Sequence, residues 1–267
     1  MTIRIGIAGL GTVGLGVLKV LQSSGPALAA RAQRHELKVT AVSARDKDRD
    51  RGMDLSEYQW EADPVALGAR EDVDVVVELM GGSEGPARDL VSSALKLGKH
   101  VVTANKALLA YHGIELAKLA EETDASLKFE AAICGGIPIV KSLREGLIAY
   151  DISTIRGILN GTCNYILTEM ETTGRAFEDV LAEAQELGYA ESDPTLDVGG
   201  VHTAHKLLLL ASLAFGTLPD LDSVAMQGIE HITPADIAFA DEFGYRIKLL
   251  GASRKTDAGI EQRVTPT

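Results

Sequence analysis

The chain has 267 residues, 46% hydrophobic and 24% charged, an ordinary globular composition with room for one large domain or two modest ones. Its 38 acidic against 26 basic side chains give a formal net charge of -12 with no compensating basic stripe, which argues against a nucleic-acid partner. Two cysteines, Cys134 and Cys163, in no C-x-x-C spacing, fit a reducing compartment, and the start has no basic segment followed by a long apolar one, so a cytoplasmic location is expected. The longest apolar run, Leu207 to Phe215, is too short for a bilayer span, so no membrane partner is expected.

Ile3, Ile5 and Ile7 alternate along an apolar stretch that meets Gly9-Leu10-Gly11-Thr12-Val13-Gly14, after which Val13, Val17, Leu18 and Leu21 recur at helical spacing. The pattern is strand, glycine turn, helix. The first glycine allows a tight turn, the second lets backbone approach a pyrophosphate, and the third lets helix and strand pack closely. A helix N-terminus there offers N–H groups to phosphate. Gly9, Gly11, Thr12, Val13 and Gly14 are therefore candidate cofactor contacts, although the motif by itself also serves as a purely structural turn.

A second apolar strand, 37–42, ends in Ser43-Ala44-Arg45-Asp46, where such folds read the adenosine ribose. An acid favours a free 2′-hydroxyl and an arginine a 2′-phosphate, so Arg45 beside Asp46 leaves NAD and NADP both open. The fork geometry of guanidinium leans toward NADP, and solvated loop charges are the alternative.

Residues 73–79 are nearly continuous in valine, as in a parallel strand buried on both faces, and they lead into Gly81-Gly82. A helix over 84–97, a strand over 100–103, a helix through Leu116 and Leu119 and a strand over 127–130 continue the alternation. The expected class is α/β, with a Rossmann doubly wound parallel sheet over residues 1–130. Ligands of such sheets bind at the carboxyl ends of strands, which makes Thr103 and Lys106 candidate cofactor contacts; a lysine merely opening a helix is the alternative for Lys106.

Beyond Glu130, at the expected strand end, Gly135-Gly136-Ile137-Pro138 reads as a turn into a helix carrying Val140, Leu143 and Leu147. Residues 152–159 alternate as a strand of a second sheet, and helices follow through Ile166 and Met170 and through Val180 and Leu187. The loop 188–194 is too rich in acids and turn formers to be core. From Gly200 a helix runs through Leu207, Leu208 and Ala211, and an apolar strand spans 247–251, so residues 131–267 form a second, α+β domain. Lys206 sits on that last helix, where a lysine amid leucines reads on its own as a snorkelling side chain.

The segments HVVTANKALLA, FEAAICGGIPIVKSLREGL, GILNGTCNYILTEM and LGYAESDPTLD, in this order, resemble the motifs of homoserine dehydrogenases over essentially the whole chain. The resemblance implies NAD(P)-dependent interconversion of L-homoserine and aspartate 4-semialdehyde, with 131–267 serving substrate binding and dimerisation in a homodimer. It implies that Glu191 binds the homoserine amino group, that Asp197 is an acid near the substrate, and that the Gly188 backbone lies near the nicotinamide. It implies that Lys206 passes the proton between bulk water and the substrate oxygen, which suits a lysine of lowered pKa. It also implies a monovalent cation such as sodium on Glu130 and the carbonyls of Ile133, Gly135 and Ile137, an oxygen set suited to a hard cation.

Two departures qualify the resemblance. Where the family carries an aspartate one turn before the lysine, this chain has His202, a candidate substrate contact on the same helix face as Lys206. An altered substrate site is expected there; zinc on His202 and His205 is not, because their i, i+3 spacing comes with no clear third ligand. The alternatives are a related dehydrogenase with another small hydroxy acid as substrate, or a nucleotide-binding, dimer-forming protein without turnover. The family continues past the position of Thr267 with a segment that returns to the nucleotide domain; neither that segment nor a C-terminal regulatory module is expected in this chain.

Overall fold

The computed structural model describes residues 2–31 and 35–267 and divides into two compact units, Met1–Ile137 and Pro138–Thr267. In the first unit, β1 (Thr2–Ala8) leads through the glycine turn into α1 (Thr12–Arg31), and β2 (Glu36–Ser43) and the short β3 (Gln59–Trp60) follow. Then come β4 (Val75–Glu78), α2 (Pro86–Lys96), β5 (His100–Thr103), α3 (Lys106–Glu122), β6 (Leu127–Lys128) and a single turn, α4 (Glu130–Ile133).

The strand order is β3-β2-β1-β4-β5-β6 and every pairing is parallel, which is the doubly wound sheet expected from the residues. Ile7, Val76 and Val101 are fully buried, as strands covered on both faces require. The order reverses between β1 and β4, the place where such sheets take their ligands. Register makes this edge even: Ala8 pairs with Ser43 on one side and Glu78 on the other, and Glu78 pairs with Thr103. The carboxyl ends of four adjacent strands therefore finish in one row.

Two local expectations change. Val13, read as part of the packed face of α1, is 58% exposed; buried Gly14 takes the contact because a Cβ there would stand 2.0 Å from the Gly9 carbonyl oxygen. Glu130 does not end a strand, since β6 stops at Lys128 and the Cys134 N–H bonds the Glu130 carbonyl to close α4.

The second unit opens with α5 (Ile139–Lys141), which widens into a π turn over Ser142–Gly146. The helix thus ends before Leu147, which the sequence pattern had included and which is exposed. Next are β7 (Thr154–Gly157), α6 (Gly161–Thr173), α7 (Phe177–Glu186), α8 (Thr195–Val198) and α9 (Val201–Phe215). The unit finishes with β8 (Ala225–Met226), α10 (Pro234–Glu242), β9 (Leu249–Thr256) and β10 (Gly259–Pro266).

Its mixed sheet has the order β7-β9-β10-β8, and Met170, Val180, Leu207, Leu208, Leu249 and Val264 meet in one core, giving the α+β architecture expected. The strand expected over 247–251 is β9, and it runs on to Thr256 before pairing antiparallel with β10. Beyond Gly251 the inward position is buried Ser253, so the hydrophobic signal stops while the pairing continues. Among the described residues no helix is long and apolar enough to cross a membrane.

Candidate functional site

The glycine turn divides its labour sharply. Gly9 has φ +101° and a Cβ there would lie 2.5 Å from the Leu79 carbonyl oxygen, whereas a Cβ on Gly11 would meet nothing within 4 Å. Gly9 and Gly14 are thus required by the turn, and Gly11 faces open space. That space is a cavity of about 540 Å³ bordered by Gly9, Gly11, Arg45, Asp46 and Met80. Thr12 and Val13 form the exposed first turn of α1 beside it, where backbone N–H groups favour an anion. A bare glycine wall at a helix N-terminus fits a dinucleotide pyrophosphate.

At one end of this cavity Asp46 turns back on its own loop. Its Oδ1 accepts from the backbone N–H groups of Asp48 at 2.9 Å and Arg49 at 3.2 Å. Arg51 donates to the carbonyls of Asp46 and Arg49, and its guanidinium stands 5.6 Å from the centre of the Trp60 ring. Arg45, Arg49 and Arg51 all border the cavity. Sequence reasoning named Arg45 alone; Arg49 and Arg51 belong to an alternating acid and base run that looks like solvated charge until the loop closes.

The strand ends on the other side of β1 carry a buried polar chain. Glu78 is fully buried, and its carboxylate accepts from the N–H groups of Met80 at 2.7 Å and Gly81 at 3.3 Å and from the Thr103 hydroxyl at 2.6 Å. Thr103 Oγ1 accepts in turn from the Asn105 N–H at 3.0 Å. Asn105 caps α3 through the Leu108 N–H and donates to the Gly82 carbonyl at 2.6 Å. Lys106 opens α3, and among the described residues its ammonium has no hydrogen-bond or ion-pair partner. A cation at a helix N-terminus is opposed by the helix dipole, so local stability does not explain it. Glu78 and Asn105 were not singled out from sequence; an acid closing a valine strand was the available signal.

The segment from Glu130 to Ile137 also lies in the first unit. α4 wraps Glu130 to Ile133 into one turn, Ile133 is buried, and Gly136, with φ +82°, bends the exposed stretch that follows. Its donors would be carboxylate and carbonyl oxygens, chemistry that fits a hard monovalent cation.

In the second unit the named residues gather at the head of α9. Lys206 Nζ donates to the Leu159 carbonyl at 2.9 Å. The next residue, Asn160, caps α6 by accepting from the Cys163 N–H and donates through Nδ2 to Asp197 Oδ1 at 3.0 Å. His202 Nδ1 reaches that same carboxylate oxygen at 2.8 Å. Burial, reinforced by the charge of Asp197, pushes the Cys163 thiol up to about 12, so this cysteine is a packing residue whose Sγ donates to the Asp197 carbonyl. Asn160 is the member missed from sequence.

The loop before α8 supplies the remaining names. Gly188, with φ +74°, ends α7, and the Tyr189 N–H closes back on the Ala184 carbonyl. Glu191 is exposed, and Gln185 Nε2 donates to its carbonyl at 3.0 Å and to that of Ser192 at 3.3 Å, pinning the loop. Asp193 accepts from the hydroxyl and N–H of Thr195, which holds its carboxyl below the usual range.

Comparison with known proteins agrees with this picture. The family model described as homoserine dehydrogenase, NAD binding domain, matches residues 9–130, and the model described as homoserine dehydrogenase matches residues 138–267. The chain is 49% identical over 265 residues to a homoserine dehydrogenase of Neisseria gonorrhoeae, covering 99% of this chain and 60% of that one. It superposes with TM-score 0.95 on the crystal structure of a homoserine dehydrogenase from Thiobacillus denitrificans, at 46% identity, covering 100% of this chain and 61% of that one. A hyperthermophilic archaeal homoserine dehydrogenase solved in complex with NADPH matches at TM-score 0.81 and 25% identity, covering 100% of this chain and 81% of that one. The chain spans about 60% of the length of the curated relatives it matches.

Proposed function

The chain belongs to the homoserine dehydrogenase family, and from that premise we propose that it interconverts L-homoserine and L-aspartate 4-semialdehyde with NADP as its preferred hydride carrier. The observation that carries the proposal is the polar cluster at the head of α9. On a helix buried through Leu207, Leu208 and Leu210, Lys206 rests on the Leu159 carbonyl beside an acid, Asp197, that Asn160 and His202 hold in place.

Residues 1–130 take the dinucleotide, and residues 131–267 take the substrate and form a homodimer through their sheet. Gly9, Gly11, Thr12, Val13 and Gly14 receive the pyrophosphate, and Thr103 and Lys106 serve the nicotinamide end. Arg45 and Arg49 favour a 2′-phosphate, and Asp46 anchors its own loop by accepting through Oδ1 from the amides of Asp48 and Arg49. The NADPH complex of the archaeal relative supports the same choice.

NADP supplies a hydride acceptor for the alcohol carbon. Lys206 takes the hydroxyl proton as the hydride leaves, passes it to water, and returns one to the aldehyde oxygen in the reverse direction, so the alcohol loses one hydride and one proton. Glu191 and Asp197 bind the substrate ammonium by charge-assisted hydrogen bonds, and His202 acts through Asp197. Glu130 with the carbonyls of Ile133, Gly135 and Ile137 would hold a monovalent cation such as sodium. Two thiols, one of them inert by burial, suit a cytoplasmic setting.

The test is formation of reduced nicotinamide from L-homoserine by this chain. Lys206→Ala should abolish it while leaving NADPH binding intact. Oxidation of another hydroxy acid in place of homoserine would favour the altered-substrate reading, and cofactor binding with no oxidation at all would overturn the enzymatic one.

A further inference from the structure

We propose that Glu78 is the built-in counter-charge for an oxidised nicotinamide ring and so biases this chain toward the oxidised over the reduced cofactor. The inference rests on the dinucleotide reading of the first unit. Glu78 is the last residue of β4, the strand that borders β1 where the strand order reverses, and its side chain is fully buried. It stands in the row Ser43, Ala8, Glu78, Thr103 at the carboxyl edge, on the side of the reversal that receives the nicotinamide half in doubly wound sheets.

The hydrogen bonds fix its polarity. Met80 N–H, Gly81 N–H and the Thr103 hydroxyl all donate to the carboxylate, and the Thr103 oxygen is itself committed as acceptor to the Asn105 N–H. Each of these three donors is neutral, so none of them cancels a negative charge on the carboxylate. Among the described residues no lysine, arginine or histidine pairs with it. The next acid along this stretch, Glu84, is by contrast bound by both Arg88 and His112.

A buried anion supported by neutral donors alone is costly unless a cation completes it. An oxidised nicotinamide is a pyridinium cation and its reduced form is neutral, so a fixed negative charge in a dry strand-end site stabilises the first and leaves the second unaffected. The three donors keep the carboxylate in position without neutralising it. Glu78 is therefore a positioning and electrostatic residue; the proton traffic stays with Lys206.

The experiment is titration of the chain with NADP+ and with NADPH, wild type against Glu78→Gln, reading the ratio of the two Kd values. The oxidised form should weaken relative to the reduced form by about tenfold, the scale of one charge interaction at partly screened range. Equal weakening of both forms would mean that Glu78 only braces the loop, and the proposal would fall. Should Glu78→Gln not fold, Thr103→Val carries the test: it strips one donor from the anion, and the oxidised form should gain relative to the reduced form. An unchanged ratio there would also overturn the proposal. Wild-type chain that binds neither form would refute the dinucleotide reading itself, an outcome distinct from equal weakening in a variant.

Discussion

His202 Nδ1 stands 2.8 Å from Asp197 Oδ1, so the first turn of α9 is tied through this ring to the acid of α8. Lys206 lies one helical turn further along α9 and joins the same cluster through Leu159 and Asn160, in the connection from β7 to α6. The histidine thus has a structural partner that sequence spacing, which set it against Lys206, did not suggest.

Asp197→Asn keeps the shape of this cluster and removes its charge. Loss of one charge-assisted contact to a substrate ammonium is worth about 1.5 to 3 kcal/mol, so the homoserine KM should rise by roughly tenfold to a hundredfold. The Kd for NADP should stay as in wild type. His202→Ala leaves the acid in place without the His202 support and should raise KM less than Asp197→Asn does. Steady-state kinetics with both variants check the order, and a larger effect from His202 would mean that the ring itself contacts the substrate.

The arginine loop should control cofactor choice. Arg45→Ala and Arg49→Ala should each weaken NADP by about tenfold, one charge-assisted hydrogen bond to phosphate, and leave NAD nearly unchanged. Asp46→Asn should loosen the loop without creating a preference for NAD, because its carboxylate serves the backbone amides of Asp48 and Arg49. Paired fluorescence titrations with NADP and NAD decide; equal losses for both cofactors would remove the 2′-phosphate assignment.

The glycine turn offers a separation of stability from binding. A Cβ on Gly11 meets nothing within 4 Å, so Gly11→Val should fold with a melting temperature close to wild type and lose dinucleotide affinity. A Cβ on Gly14 would stand 2.0 Å from the Gly9 carbonyl oxygen, so even Gly14→Ala should lower stability by about 1 to 3 kcal/mol, as overpacking does. Thermal melts alongside cofactor titration measure both. A cofactor affinity unchanged in Gly11→Val would contradict the placement of the pyrophosphate.

Acid sensitivity should trace in part to β1 and β4. Asp74, beside β4, accepts from the Arg4 guanidinium and from the Arg4 backbone N–H, and these bonds hold its carboxyl down at about 2. A carboxyl lower in the folded than in the unfolded chain stabilises the fold above its unfolded value and loses that contribution as pH falls through the folded one. The pair is about two-fifths exposed, so solvent screening keeps its worth small. Asp74→Asn should therefore melt slightly lower than wild type at pH 7, with the gap closing between about pH 4 and pH 2. A gap that persists at pH 2 would exclude the ion pair as its source.

The sequence by itself determined the alternation of strands and helices in the first unit, the glycine turn at its first crossing and the leucine-rich helix that carries Lys206. These are signals of short range: a period of two or of 3.6 residues and a few backbone positions open only to glycine. Tertiary structure decided which polar groups meet. Glu78, Thr103 and Asn105 are 25 and 2 residues apart along the chain and come together only because β4 and β5 end in register. Asn160, Asp197 and His202 join across 37 and 5 residues, and Arg51 reaches back over its loop to the Asp46 carbonyl. The second strand of the terminal hairpin likewise escaped a reading based on hydrophobic runs, because its pairing is carried by backbone hydrogen bonds that every residue but proline can make, whatever its side chain.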